Sequence, residues 1–132
     1  MASVLEEWLA AEVAQRAVLE RGRGPGVATP QEVAELDGAT LFRQMLRGEL
    51  PYAHIGRTLD FLLISAEPGT AVFQGTPGTA HLNPMGTVHG GWYATPLDSA
   101  LGCAVHSALP QGKGYATLEL KVNMIRALTP KV

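Results

Sequence analysis

The residues able to do chemistry are concentrated between Asn83 and Leu109, NPMGTVHGGWYATPLDSALGCAVHSAL. The stretch opens as a polar, glycine-bearing turn and continues as an apolar helix pattern, with Leu97, Leu101, Ala104, Val105 and Ala108 recurring at helical spacing. From Thr87 to Gly112 there is no Lys, Arg or Glu, and Asp98 is the sole carboxylate. A charge on so apolar a helix is costly to bury, so Asp98 is either held by a specific partner or kept for a reaction. His89-Gly90-Gly91 precede the helix. Its first amides lack intrahelical partners and sit at the positive end of the helix dipole. With no side chain at Gly90 and Gly91, a ligand oxygen can approach those amides and be polarised, as in an oxyanion hole. Eight residues on, Asp98 lies roughly 12 Å away by helical rise. That is too far to reach the same carbonyl within one chain, so the spacing predicts a site shared between two subunits.

Each of these residues also has a plainer reading. Asp98 alone could be a structural acid on a backbone amide or a Lys. Asn83 could be a turn or cap residue, and His89 a turn residue bonded to its neighbours. Their occurrence together, at this spacing, favours catalysis. His54, His81 and His106 read as ordinary surface or core histidines. Cys103, within an apolar helix, reads as a small buried residue rather than a nucleophile. No His-x-x-x-His, Cys-x-x-Cys or carboxylate cluster occurs, so no metal site is expected. None of the serines stands in Gly-x-Ser-x-Gly, which removes a serine-hydrolase reading.

The elements that must position these groups belong to a chain of 132 residues, enough for one domain with a real core. The net charge is −2 without a basic run, which argues against a nucleic-acid partner. The single cysteine excludes a disulfide framework and fits a reducing compartment. Glu6 and Glu7 stand where a secretory leader would be basic, and no apolar run reaches the ~20 residues of a membrane span. The expectation is a soluble, cytoplasmic protein.

Val4 to Val18 places Val4, Leu5, Trp8, Leu9 and Val13 on one face of an amphipathic helix that lies on the domain or on a partner. Arg21 to Gly26 reads as a flexible linker, and it lacks the Lys-Ser/Thr ending of a phosphate-binding loop. Thr29-Pro30-Gln31-Glu32 has the form of a capping box with proline at the first helical position. Leu41, Phe42, Met45 and Leu46 make a further helix, closed by Gly48 and Pro51. Leu59–Ser65 and Thr70–Thr76, joined by Glu67-Pro68-Gly69, predict an antiparallel hairpin. After the central helix, Leu118, Leu120, Val122 and Met124 alternate with polar residues and predict a strand over Tyr115–Leu128 with one buried face. Three strands cover only part of so apolar a helix. Either another subunit supplies the missing edge or the chain, which stops at Pro130-Lys131-Val132, is a truncated form; truncation is the preferred reading.

Three pieces in order carry a family resemblance. Asn83-Pro84-Met85-Gly86 leads into Val88-His89-Gly90-Gly91. Leu97-Asp98-Ser99-Ala100 follows, and then Thr117-Leu118-Glu119-Leu120 with Val122-Asn123. The chain from about Thr40 to Thr129 resembles the PaaI-like hotdog-fold acyl-CoA thioesterases. The resemblance implies an α+β hotdog fold, a curved antiparallel sheet wrapped around the central helix, here lacking the last strands. It divides the chain into an N-terminal helical extension and linker (1–39) and a thioesterase domain (40–132). It implies a homodimer or homotetramer in which each site lies between the helix start of one subunit and the carboxylate of the other.

By the same resemblance, the Gly90 N–H polarises the thioester carbonyl and Asp98 is general base or nucleophile. Asn83 and His89 position thioester or water, and Thr117 holds the water or the carboxylate. Gly91, Trp92 and Tyr93 contact the substrate, while Phe61, Phe73, Trp92 and Tyr93 either line the acyl pocket or belong to the core. The substrate is an acyl- or aroyl-CoA and no separate cofactor is needed, since CoA is part of it. The alternative is a hotdog acyl-binding or assembly module, or a truncated relative, without turnover. Pro96 departs from the family pattern. Proline within a helix forfeits a hydrogen bond, so a kink is expected that shifts Asp98. Replacing Pro96 by Leu is therefore expected to raise activity or stability.

Overall fold

The computed structural model describes residues 1–130; Lys131 and Val132, the end of the expected thioesterase domain, lie outside the described residues. The architecture is mixed α+β: a long helix, α5 (Gly90–Ser107), packs against a two-stranded antiparallel sheet. Ahead of these come α1 (Val4–Arg21), α2 (Pro30–Ala34), α3 (Gly38–Leu46) and α4 (His54–Leu59). The sheet consists of β1 (Phe61–Glu67) and β2 (Thr70–Gly75), and a 3₁₀ turn at Thr79–His81 precedes α5.

Local chemistry explains most of the boundaries. Ser3 and Glu6 close a capping box at the start of α1, and Thr29 and Glu32 close the expected one at α2, with Pro30 in its first turn. Asp37 caps α3 by accepting the Thr40 N–H at 2.7 Å. The hairpin turns through Pro68 and Gly69, whose φ of 83° is the conformation a type II turn requires at its third residue. Helix α4 was not expected. It ends at Leu59 with Asp60 left-handed (φ 58°), so β1 begins at Phe61 rather than at Leu59.

The β1–β2 register runs from Phe61↔Gly75 to Glu67↔Thr70, with an irregularity between Leu63 and Ser65. Leu62 joins Leu19 of α1 and Tyr52 in a buried cluster, with Met45 and Ile64 packed on it. By the two-residue period of a strand, Phe61 and Leu63 turn to the opposite face, toward α5. The sheet is thus held between α1 and the central helix.

Two expectations are corrected. Arg21 to Gly26 is no loose linker. Arg23 N–H donates to Gly48 O (3.0 Å), Gly26 N–H to Tyr52 O (2.8 Å), and Tyr52 N–H returns to Gly24 O (3.1 Å). These bonds fasten the segment to the chain around residues 48–52, something its glycine-rich composition conceals. The second correction concerns Tyr115–Leu128, which forms no strand. Extended chain becomes a strand only by pairing, and no ladder partner lies alongside it among the described residues. Its expected buried face is open accordingly: Leu118 is 98% exposed and Met124 54%.

The apolar face of α1 is likewise uncovered at Leu5, Trp8 and Val13. Its second half carries the anchors: Gln15 to Leu46 O (2.8 Å), Arg16 to Asp60 (2.9 Å), and Glu20 to Tyr52 and Arg57. No helix among the described residues is long and apolar enough to cross a membrane.

Candidate active site on the central helix

Helix α5 starts where a small loop returns on itself. Leu82 and Val88 form an isolated bridge, Asn83 N–H donates to Thr87 O (2.8 Å), and Gly86 takes a φ of 78°. The Asn83 side chain holds this turn together. Its Oδ1 accepts the Met85 and Thr87 amides at 3.0 and 3.2 Å, and its Nδ2 donates to Thr87 Oγ1 at 2.7 Å. The turn-residue reading of Asn83 describes what its side chain does within this chain.

His89 is the N-cap of α5, and its Nδ1 accepts the Gly91 N–H at 2.9 Å. An accepting Nδ1 puts the ring proton on Nε2. The Gly90 N–H, at the first helical position, has no acceptor among the described residues. Gly90 is half-buried, and a Cβ placed there would meet Met124 Sδ at 2.8 Å. The helix start is further fastened by His89 N–H to His81 O (2.8 Å) and Val88 N–H to Leu128 O (2.9 Å). His81, expected to be an ordinary histidine, also faces Trp92, ring centroids 6.0 Å apart.

Two turns further along, Asp98 is half-buried and its Oδ1 accepts the Thr117 hydroxyl at 2.9 Å. The expected partnership of these two residues therefore exists within one chain. Burial first, and then the nearby Asp98 charge, push the Cys103 thiol up to about 11. The Tyr115 phenol is raised by burial, then by Cys103 and Asp98. Cys103 is accordingly a neutral thiol at neutral pH, in line with its packing role.

Helix α5 runs unbroken from Gly90 to Ser107 with Pro96 inside it. The Thr95 hydroxyl donates to Gly91 O at 2.8 Å, a local bond in the turn that the proline disturbs. Trp92 is buried, with its indole N–H on Leu59 O at 2.6 Å. Trp92 and Tyr93, together with Phe73, Pro96 and Leu97, line an apolar cavity of about 810 Å³ whose far wall includes Trp8 of α1. Of the aromatic candidates, Phe61 belongs to the core at 2% exposure, whereas Phe73, Trp92 and Tyr93 reach the cavity. Gly91 is exposed and its amide is taken up by His89.

Asn83, His89, Gly90 and Gly91 thus gather at the start of α5, while Asp98 and Thr117 pair on its flank. Sequence reasoning missed Ser107. Its buried hydroxyl accepts the Gly69 N–H at 3.0 Å and lies 2.8 Å from Glu67 O, tying the far end of α5 to the hairpin turn. A serine in the last turn of an apolar helix was the available signal. Among the described residues, no group of three His, Cys, Asp or Glu side chains could hold a metal ion.

A half-buried acid bonded to a hydroxyl, on a long helix that opens with two glycines and packs on an antiparallel hairpin, defines a class. The chain belongs to the thioesterase superfamily of hotdog proteins, whose sequence model matches residues 85–131. Its structure is similar to that of a phenylacetic acid degradation-related protein from Ralstonia eutropha JMP134, itself assigned as a thioesterase by inference. The identity is 30% and the TM-score 0.61, over 67% of this chain and 68% of that one. A conserved protein from Pseudomonas aeruginosa is similar at 26% identity and a TM-score of 0.55, over 58% of this chain and 62% of that one. No curated protein matches the chain.

Proposed function

We propose that this protein hydrolyses an acyl- or aroyl-CoA thioester to the free acid and CoA, through residues 40–132, with residues 1–39 as a helical extension. The observation that carries the reading is the Thr117–Asp98 hydrogen bond of 2.9 Å. It orients the sole carboxylate of an apolar helix whose opening amide, at Gly90, has no acceptor among the described residues.

In this reading Asp98 of one subunit takes a proton from water, and the hydroxide attacks the thioester carbonyl carbon. The oxygen gains negative charge and is stabilised by the Gly90 N–H of the partner subunit at the positive end of its helix. The tetrahedral intermediate collapses with cleavage of the C–S bond, and CoA leaves as a thiolate. Thiols ionise near 8.5, so the leaving group needs little help from a general acid. This is why one carboxylate suffices without a triad. Direct attack by Asp98 instead forms a mixed anhydride that water then opens, with the same products. His89, through Nε2, and Asn83 position the thioester or the water. Trp92 and Tyr93, lining the apolar cavity, receive the acyl group. The two halves of the site lie about two turns apart on one helix, which supports assembly from a dimer or tetramer. In this reading the protein works in the cytoplasm, a reducing compartment that its single cysteine fits.

A second reading, acyl binding without turnover, is favoured by one observation: the polar atoms of Asn83 and the Nδ1 of His89 are already engaged within the chain. Thiol release from acetyl-, hexanoyl-, benzoyl- and phenylacetyl-CoA separates the two. The phenylacetyl thioester is included because of the Ralstonia relative's description. The expected result is release from at least one thioester by an oligomer, lowered on the order of 10²–10⁴-fold by Asp98→Asn with the fold retained. A folded protein that frees no thiol from any of them overturns the proposal.

A further inference from the structure

We propose that Tyr115 is a positioning residue for Asp98: seated against Gly102, it fixes where the extended segment crosses α5 and so keeps the Thr117 hydroxyl on the carboxylate. The inference rests on the reading of Asp98 as the reacting carboxylate. Asp98, Gly102 and His106 follow one another at four-residue intervals and form one ridge of α5. At Gly102 the ridge has a notch, filled by the Tyr115 ring: an added Cβ would lie 2.6 Å from both Cε2 and Cζ. The ring also meets His106, centroids 5.6 Å apart, and His106 stands edge-on to the buried Phe42 at 5.5 Å. The tyrosine is thus held between a gap in the helix and an aromatic pair rooted in α3.

The spacing then delivers Thr117 to its acceptor. Two extended residues advance roughly 6.6 Å, and four helical residues roughly 6.0 Å. A chain antiparallel to α5 with residue 115 on Gly102 therefore brings residue 117 opposite Asp98, where the 2.9 Å bond is found. Met124 against Gly90 and the Val88 N–H on Leu128 O (2.9 Å) hold the far end of the segment at the helix start, well beyond Thr117. From Gly114 to Ala127 no backbone hydrogen bond is made among the described residues, and Leu118 next to Thr117 is 98% exposed. Without the ring in its notch, a single hydroxyl bond at an exposed threonine would have to hold the near end of the segment.

The test compares Tyr115→Ala, Tyr115→Phe, Gly102→Ala and Thr117→Val in the full chain, using hydrogen exchange of residues 114–119 and thioester turnover. Tyr115→Ala and Gly102→Ala are expected to speed exchange in that segment. They are also expected to lower kcat to the level of Thr117→Val, by about tenfold, with KM little changed, as for a misplaced group. Tyr115→Phe, which keeps the ring, restores both. In the Tyr115→Ala/Thr117→Val double variant the losses should not add, because both changes break the same contact. Unchanged exchange in Tyr115→Ala, or losses that multiply in the double variant, would overturn the inference. If Asp98→Asn itself retains full turnover, the catalytic reading fails instead, and the exchange result still decides whether Tyr115 holds the segment.

Discussion

Substituting Gly90 by Ala adds one methyl group beside the amide assigned to the thioester oxygen. That methyl would lie 2.8 Å from Met124 Sδ and 2.7 Å from Met124 Cε, both at the far end of a flexible side chain that is 54% exposed. Met124 can therefore move aside cheaply. Gly90 lies in a helix without a positive φ, so alanine is conformationally acceptable and gains up to about 1 kcal/mol in helix propensity. The two effects oppose one another, and global stability should change by less than about 1 kcal/mol. Catalysis should respond far more. The amide remains, but a methyl beside it pushes the carbonyl oxygen away by about 1 Å, a misplacement that costs on the order of 100-fold. That corresponds to about 2.7 kcal/mol of transition-state stabilisation. Thermal unfolding and steady-state thiol release on the same preparation read the two quantities separately. Met124→Ala is the control: if Gly90→Ala acts by displacing the methionine, the double variant recovers, whereas obstruction of the amide predicts no recovery. Turnover of Gly90→Ala within about threefold of the parent, well short of the loss expected from misplacement, would refute the oxyanion role.

Two further outcomes are expected. Cys103 has its thiol pushed up to about 11 against an ordinary value of 9.0, so the folded state holds its proton where the unfolded chain has lost it. Stability from this group is therefore full below pH 9 and falls as pH rises toward 11, which chemical unfolding across that window would register as a loss absent from Cys103→Ala. Pro96→Leu restores a donor to the Trp92 carbonyl inside α5 and should raise the unfolding midpoint, by up to about 3 kcal/mol of stability, or raise kcat. If neither moves, the proline is already accommodated without cost to the helix or to Asp98.

Much of the local structure was legible because its signals lie close together in the chain. The Thr29–Glu32 capping box and the Pro68-Gly69 turn are each written within a few residues and appear where the sequence places them, while the double glycine, read as preceding the helix, forms its first two residues. The Asp98–Thr117 bond could be anticipated only through the family resemblance, since nineteen residues separate the two in the chain. What escaped notice depends on partners remote in sequence. The glycine-rich Arg21–Gly26 segment reads as loose until Tyr52 and Gly48 supply its hydrogen bonds. Ser107 looks inert until the hairpin turn arrives beside it. Helix α4, six residues long, has no side-chain cap to announce it.

The Tyr115–Leu128 segment shows why an alternating pattern states only a capacity. In a fully extended chain Leu118, Leu120, Val122 and Met124 would share one side, as period two requires. Alternation says which side chains would be covered if a sheet formed, but the covering comes from neighbours that the segment itself does not encode. Along α5 the segment is held by side chains instead: Tyr115 at Gly102, Thr117 at Asp98 and Met124 at Gly90. Two of these three contacts fall on residues assigned to chemistry, Gly90 and Asp98, at the two ends of the proposed mechanism. A change that shifts the segment along the helix would therefore alter the amide and the carboxylate together. For this reason the Tyr115 and Gly90 variants should be measured against the same set of thioesters: a common change in acyl preference would identify the segment, rather than either residue alone, as what shapes the site.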